Sequence, residues 1–287
     1  MSDDLTTGRR PLRGGARRQD LPRSSIYTEE YFLSGACEGI DEYLDGRVSV
    51  VKERELEFLE PRSGDRVLDL GSGRGESSAE LLRRGACPIA VDYSADAVRV
   101  TARTLATKAP VLRADGTRLP FASGSFDRVL LGDVIEHLPW ALAVEALGEV
   151  QRVLAPGGRA LIHTSPNTWF ISVVMPPLRL VLRLLRHDEV LGRFAEYDRL
   201  REAMHPNELS PTTLPRLMRA AGVPARTWVD RDVLRSGGSE WTRRLSQSPL
   251  VRAFGALAGV WPLRLLVGND LYALIVHPNP ALSGSGR

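Results

Sequence analysis

The stretch VLDLGSGRGESS, Val67 to Ser78, sets an acid two residues ahead of a cluster of glycines. Gly71, Gly73 and Gly75 read G-x-G-x-G, whereas a dinucleotide turn reads G-x-G-x-x-G. Glycines in such a turn let backbone approach a ligand without side-chain obstruction. A pyrophosphate gains nothing from the carboxylate of Asp69, whereas a cationic ligand does. Asp92 closes the next apolar run, PIAVD, where a carboxylate accepts hydrogen bonds from both hydroxyls of a ribose. Asp115, in RADG, stands at the end of a third run, placed to receive an adenine amino group. S-Adenosylmethionine carries an ammonium, a sulfonium, a ribose and an adenine, so it answers the acids and the glycines together.

These residues need a scaffold that brings successive strand ends to one edge. RVLDL (66–70) reads as a buried strand, and PIAVD (88–92), VLRA (111–114), FDRVLLG (126–132) and RALIHT (159–164) as the strands that follow it. Helical patterns separate them at 76–84, from Ser94 to about 107, and from about 141 to 154. Short apolar runs alternating with helices predict βαβ units and a parallel sheet. DLYALIVH (270–277) reads as a closing strand, and 27–59 as largely helical.

VLDLGSGRG, VDYS, RADGTRLPFASGSFDRVLLGDVIEHL and EVQRVLAPGGRALIHT resemble the successive motifs of the class I S-adenosylmethionine-dependent methyltransferases. The likeness covers about 60–165 and resumes at HPNELSPTTLPRLMRAAGV (205–223). It implies a Rossmann-like α/β fold with a seven-stranded, mostly parallel sheet whose last strand is antiparallel, with helical insertions forming a lid. It implies that Gly71 and Gly73 flank the methionine moiety, Asp92 holds the ribose, Asp115 and Gly116 edge the adenine, and Gly132 faces the transferring methyl. LAPGG (154–158) becomes a turn before the fifth strand. With Asp69, Ser72 inside the glycine turn and Tyr93 beside Asp92, these form the expected cofactor-binding set.

Methyl transfer to a phenol or alcohol needs the acceptor's proton removed, by a base or with a metal's help. GDVIEHLPW (132–140) lies where the fourth strand ends, and its Asp133, Glu136 and His137 spell D-x-x-E-H. Acids and an imidazole at this spacing suit one cation on a turn of helix. The stretch resembles the E-x-x-E-H site of ubiquinone-pathway O-methyltransferases and of small-RNA 2′-O-methyltransferases, with an aspartate in first place. Asp133, Glu136 and His137 are therefore candidate ligands for Mg2+ or another divalent cation. His137, Glu136 and His205 are the candidate catalytic residues, with His137 either lining the pocket or acting as base. His163, near a strand end, reads as structural.

Two apolar insertions follow the fifth strand, within about 168–204 and 234–268. In the first, Arg179, Arg183 and Arg186 share one helical face after Pro176 and Pro177, with Leu178, Val181, Leu182 and Leu185 opposite. A basic amphipathic segment lies on membrane surfaces or packs as a lid, and the ubiquinone-pathway enzymes carry a similar insertion there. Segments 168–186 and 248–268 are thus a candidate membrane surface, roofing a pocket for an aromatic or lipid-like small molecule.

The chain has 287 residues, 43% hydrophobic, with a net charge of +3. That suits one domain over 26–280, a basic disordered tail at 1–25 and a flexible tail at 281–287. No secretory signal opens the chain and no apolar run is long enough to span a membrane. Two cysteines, Cys37 and Cys87, read as reduced thiols of a cytoplasmic protein, peripheral to the inner membrane surface if the insertions dock there. The expected activity is methyl transfer, most simply O-methylation, to an aromatic or lipophilic acceptor. The alternatives are an RNA 2′-O-methyltransferase, disfavoured because no basic patch with interleaved aromatics marks the core, and a catalytically silent cofactor-binding partner protein.

Overall fold

The computed structural model describes residues 26–34, 37, 39–230, 256 and 260–279. The basic tail, most of the second insertion and the last eight residues lie outside the described residues, with Arg252 and Phe254 among them.

Three short helices come first: α1 (Glu29–Phe32), α2 (Ile40–Leu44) and α3 (Val50–Leu59). The alternating core follows, with β1 (Arg66–Leu70), α4 (Glu76–Arg83), β2 (Cys87–Asp92), α5 (Ala95–Leu105), β3 (Val111–Arg113), β4 (Phe126–Gly132), α6 (Trp140–Val153) and β5 (Leu154–Thr164). Then come α7 (Met175–Leu184), α8 (Asp188–Met204), α9 (Thr213–Ala220), β6 (Ala225–Val229), α10 (Arg264–Val267) and β7 (Leu271–Val276).

The strands form one seven-stranded sheet in the order β3-β2-β1-β4-β5-β7-β6. β1 to β5 run parallel, and β7 is antiparallel to both β5 and β6. A parallel sheet covered on both faces calls for strands that are apolar throughout, and Val67 to Leu70 are all buried. On one face Leu147 and Val150 of α6 and Leu214 and Leu217 of α9 pack against Leu68, Val129 and Ile162. On the other, Leu56 and Leu59 of α3 and Leu81 of α4 meet Val67, Leu130 and Tyr272.

Local chemistry sets the boundaries that matter for the strand ends. Ser94 caps α5, its Oγ accepting from the backbone N–H groups of Asp96 and Ala97. Gly75, at φ 81°, begins α4 in a conformation that a side chain would strain. LAPGG is part of β5 instead of a turn before it. Phe126 pairs with Leu154 and Arg128 with Arg159, so the ladder shifts register around Gly157 at φ 78°.

The first insertion departs from its expected pattern. Phe170–Val174 form a π turn leading into α7. Arg186 lies beyond the end of α7, and Arg179 is turned to Asp198 of α8 at 2.6 Å, so the three arginines share no outer face. Of the apolar residues placed opposite the arginines, Leu182 is buried while Val181 and Leu185 are exposed.

Candidate active site

The carboxyl ends of β1, β2 and β4 open into a chamber of about 290 Å³, roofed by α1 and α8. Gly71, Gly73, Asp92, Tyr93 and Asp115 line it, with Gly116 and Gly132. Gly71 has φ 85°, and a Cβ there would run into the Val134 side chain, so the turn is built for a residue without one. Asp92 Oδ2 accepts from the Gly73 N–H at 3.0 Å and Oδ1 from the Ser94 N–H at 2.8 Å. The carboxylate thus fixes the glycine turn against β2, and each oxygen keeps a lone pair for a ligand hydroxyl. Burial raises its pKa.

Two members of the expected cofactor set stand behind the wall. Ser72 points its hydroxyl at Thr101 Oγ1, 3.2 Å away. Asp69 is buried and accepts from Ser78 Oγ at 2.6 Å. Burial lifts its pKa to about 6, against the opposing pull of that hydrogen bond and of Lys52. Asp69 thereby ties β1 to the first turn of α4 and shapes the glycine turn from behind.

The D-x-x-E-H residues take three separate partners. Glu136 Oε2 accepts from Thr164 Oγ1 at 2.9 Å. Burial and then the neighbouring Asp133 charge push its pKa well up. His137 Nδ1 lies 3.1 Å from the Met204 carbonyl, an acceptor, so Nδ1 carries the proton and Nε2 presents a lone pair. Burial holds its pKa below the usual value despite that bond. His205 packs edge-on against it at 4.6 Å, and burial with the His137 charge lowers its pKa to about 4. Two imidazoles held below their usual pKa and a carboxyl group held above its own therefore face the chamber. Tyr27 crosses His137 at 5.4 Å, and its buried hydroxyl has no partner among the described residues.

Asp133, Glu136 and His137 do not bring ligand atoms to a common point, so their geometry does not fit the metal set expected of them. Among the described residues, the donors that converge within 4.8 Å belong to Glu55, Asp133 and His163. The spacing that suggested one shared cation presumes a regular helical turn. Asp133 instead sits at φ 51°, ahead of a 3-10 turn, Ile135–His137, which aims the three side chains apart.

Sequence reasoning did not find Lys52 or Glu55 on α3. Lys52 lines the chamber beside Glu76 and Asp133. Burial works against its charge, yet Glu76 and Glu55 more than offset this and its pKa ends high. The face of α3 that carries them has no motif, and only its packing on β4 and β5 brings them to the site. Arg74 likewise reaches the backbone oxygens of Phe32 and Cys37, holding the roof to the glycine turn.

A profile for the methyltransferase domain matches residues 67–158. Demethylmenaquinone methyltransferase from Beutenbergia cavernae is 33% identical over 150 residues, a match that spans 50% of this chain and only 61% of that protein. The enzyme of the same name from Mycolicibacterium vanbaalenii is 36% identical over 168 residues, 53% of this chain and 70% of that protein. Phosphoethanolamine N-methyltransferase 2 of Haemonchus contortus, solved with S-adenosyl-L-methionine, shares the fold at a TM-score of 0.56 and 18% identity. That superposition covers 92% of this chain and 61% of the other. With its sheet order, its glycine turn and these relatives, the chain belongs to the class I S-adenosylmethionine-dependent methyltransferases.

Proposed function

We propose that this protein transfers a methyl group from S-adenosylmethionine to a small hydroxylated acceptor of aromatic or lipophilic character. The observation that carries the reading is one chamber with two chemically distinct ends. One end has the glycine turn, Asp92 and Asp115; the other has Tyr27, Tyr31, Met204 and the two neutral imidazoles. When bound, S-adenosylmethionine supplies a methyl carbon made electrophilic by the sulfonium. The glycine turn admits its methionine part, the Asp92 carboxylate takes its ribose hydroxyls, and Asp115 and Gly116 edge its adenine. His137 Nε2 then accepts a hydrogen bond from the acceptor's hydroxyl and orients it, while α1 and α8 exclude water. Oxygen is the simplest methyl acceptor for such a hydroxyl. The relatives named for demethylmenaquinone support a quinol-like ring, in which a ring carbon competes with the oxygen.

The same reading places the protein against a bilayer. Val173, Leu180, Leu184 and Leu185 of the first insertion are exposed, Leu184 at 74%. Trp261, 65% exposed, and Val260 belong to the second insertion, whose α10 packs beside Phe170–Val174. Arg183 and Arg186 flank this apolar surface, a composition suited to anionic lipid. Among the described residues no helix is long and apolar enough to cross a membrane.

The test is transfer of labelled methyl from S-adenosylmethionine into a host-cell extract, partitioned between organic and aqueous phases. Label in the organic phase is the expected result. Label confined to RNA would replace this reading with the 2′-O-methyltransferase. Cofactor binding with no label in either phase would replace it with the silent partner protein.

A further inference from the structure

Behind the chamber wall lies a polar cluster whose donor atoms converge without bonding one another. The side chain of His163, on β5, is 1% exposed, and its Nε2–H donates to Asp270 Oδ1 at 3.4 Å. Nδ1 then carries a lone pair. That nitrogen lies 2.9 Å from Glu55 Oε1 and 3.3 Å from Asp133 Oδ1. Neither approach is a hydrogen bond: His163 Nδ1 and both Glu55 carboxylate oxygens are buried with no partner among the described residues. One ligand atom from each of Glu55, Asp133 and His163 lies within 4.8 Å of the other two. Burying such atoms unpaired is costly, so the cluster calls for something held between them.

The spacing matches a shared ion. Metal–ligand bonds of about 2.1 Å set adjacent ligand atoms roughly 3.0 Å apart in an octahedron and roughly 3.4 Å apart in a tetrahedron. Oxygens sharing an ion with Nδ1 sit roughly 35–45° off its lone-pair line, too far off for a straight hydrogen bond. Asp270 supplies the outer carboxylate that fixes the ring of a ligating histidine. The Asp133 N–H donates to the His163 carbonyl at 3.1 Å, and Asp133 Oδ1 accepts from Ser165 Oγ at 3.3 Å, so this carboxylate too is held in place. Gly132 makes room, because a Cβ there would stand 2.7 Å from Glu55 Oε1. Lys52, the cation near Glu55, is drawn more strongly to Glu76 and makes no hydrogen bond to either Glu55 oxygen. Asp133, with its side chain 42% exposed, lines the chamber beside Gly132 and provides the way in.

We infer that Glu55, Asp133 and His163 form a binding site for one divalent transition-metal ion of the Mn2+ or Zn2+ class. One imidazole with two carboxylates suits such ions better than Ca2+, which takes an all-oxygen shell. The two carboxylates balance the charge of the ion, and Glu136 and His137 of the D-x-x-E-H stretch take no part. Three protein ligands leave coordination positions open. The exposed side of the set is the chamber, where Asp133 and Gly132 line the wall. An oxygen of the acceptor fits at that open side, and this part alone rests on the methyl-transfer reading. The site itself stands on the donor geometry.

The test is Mn2+ binding to the full chain, read by electron paramagnetic resonance with neither substrate nor turnover. Wild-type protein should bind about one ion per chain, and its spin-echo spectrum should show a histidine nitrogen on the metal. Glu55→Gln and Asp133→Asn should each weaken binding by about 100-fold or more, and Asp270→Asn, which frees the ring, by about 10–100-fold. His137→Ala should bind Mn2+ within about threefold of wild type and keep the nitrogen signal. Wild type binding no Mn2+, Glu55→Gln binding it within about threefold of wild type, or His137→Ala losing the ion or its nitrogen signal would each overturn the inference. The last result would hand the ion to the D-x-x-E-H residues. Should the Glu55 or Asp133 variant fail to fold, wild type and His137→Ala still decide. Mn2+ bound as expected by a protein that labels no acceptor would instead sink the methyl-transfer reading and leave the metal site standing.

Discussion

Replacing Gly71 by alanine tests whether the glycine turn is dictated by backbone geometry and by crowding from the acceptor side. Gly71 has φ 85°, so alanine there adopts a left-handed backbone at a cost of roughly 1–2 kcal/mol. The new Cβ would also fall far inside van der Waals contact with the Val134 side chain. Overpacking of this kind costs about 1–3 kcal/mol. The two together give about 2–5 kcal/mol, and at roughly 2–4 °C per kcal/mol a domain of this size should lose about 4–20 °C of melting temperature. Val134 directly follows Asp133, so the strain falls where the cofactor turn and the acceptor segment touch. Calorimetric melting of wild type, Gly71→Ala, Val134→Ala and the double variant separates the two costs. Val134→Ala in the Gly71→Ala background should recover the crowding part, about 1–3 kcal/mol, and none of the backbone part. A Gly71→Ala protein melting within a degree of wild type would refute the argument. A double variant that recovers nothing would refute the role of Val134.

Asp92→Ala removes the carboxylate that fixes Gly73 and takes the ribose hydroxyls, and should weaken S-adenosylhomocysteine on the order of 100-fold by calorimetry. His137→Ala should lower methyl transfer by more than it lowers cofactor affinity, since Nε2 faces the acceptor end; equal losses in the two assays would assign the ring a structural role. Asp69 has its folded pKa raised to about 6, so its ionisation disfavours the folded state as pH climbs from about 4 to 6. Asp69→Asn should therefore gain melting temperature relative to wild type at pH 7 compared with pH 4, and a constant difference across that range would contradict the assignment. Leu184→Glu with Trp261→Glu should abolish sedimentation with anionic vesicles while leaving cofactor affinity unchanged.

The alternating strands and helices of 66–164 were legible because each is set by local pattern. Buried parallel strands must be apolar throughout, and Ser94 and Gly75 mark helix starts by their own chemistry. The placement of Asp92 at the end of β2 was legible for the same reason, since the sheet topology brings successive strand ends to one edge, whereas Asp69, expected to face a ligand, lies behind the wall and bonds Ser78. Strand β6 was covered only by the family likeness, because ARTWV takes its identity from pairing with β7.

The chemistry at the acceptor end escaped such a reading. D-x-x-E-H names three polar residues at a spacing, but the left-handed Asp133 and the 3-10 turn after it decide where each side chain points. The Glu136 pKa is pushed up because it is buried beside Asp133, and the carboxylates near His163 come from α3, from just after β4 and from just before β7, segments scattered over some two hundred residues of chain. Residue identity and local spacing suffice for a strand, a cap or a glycine turn, where the interacting groups are near in sequence. Protonation states and side-chain convergence depend on burial and on neighbours from distant segments, and those exist only once the tertiary structure has formed.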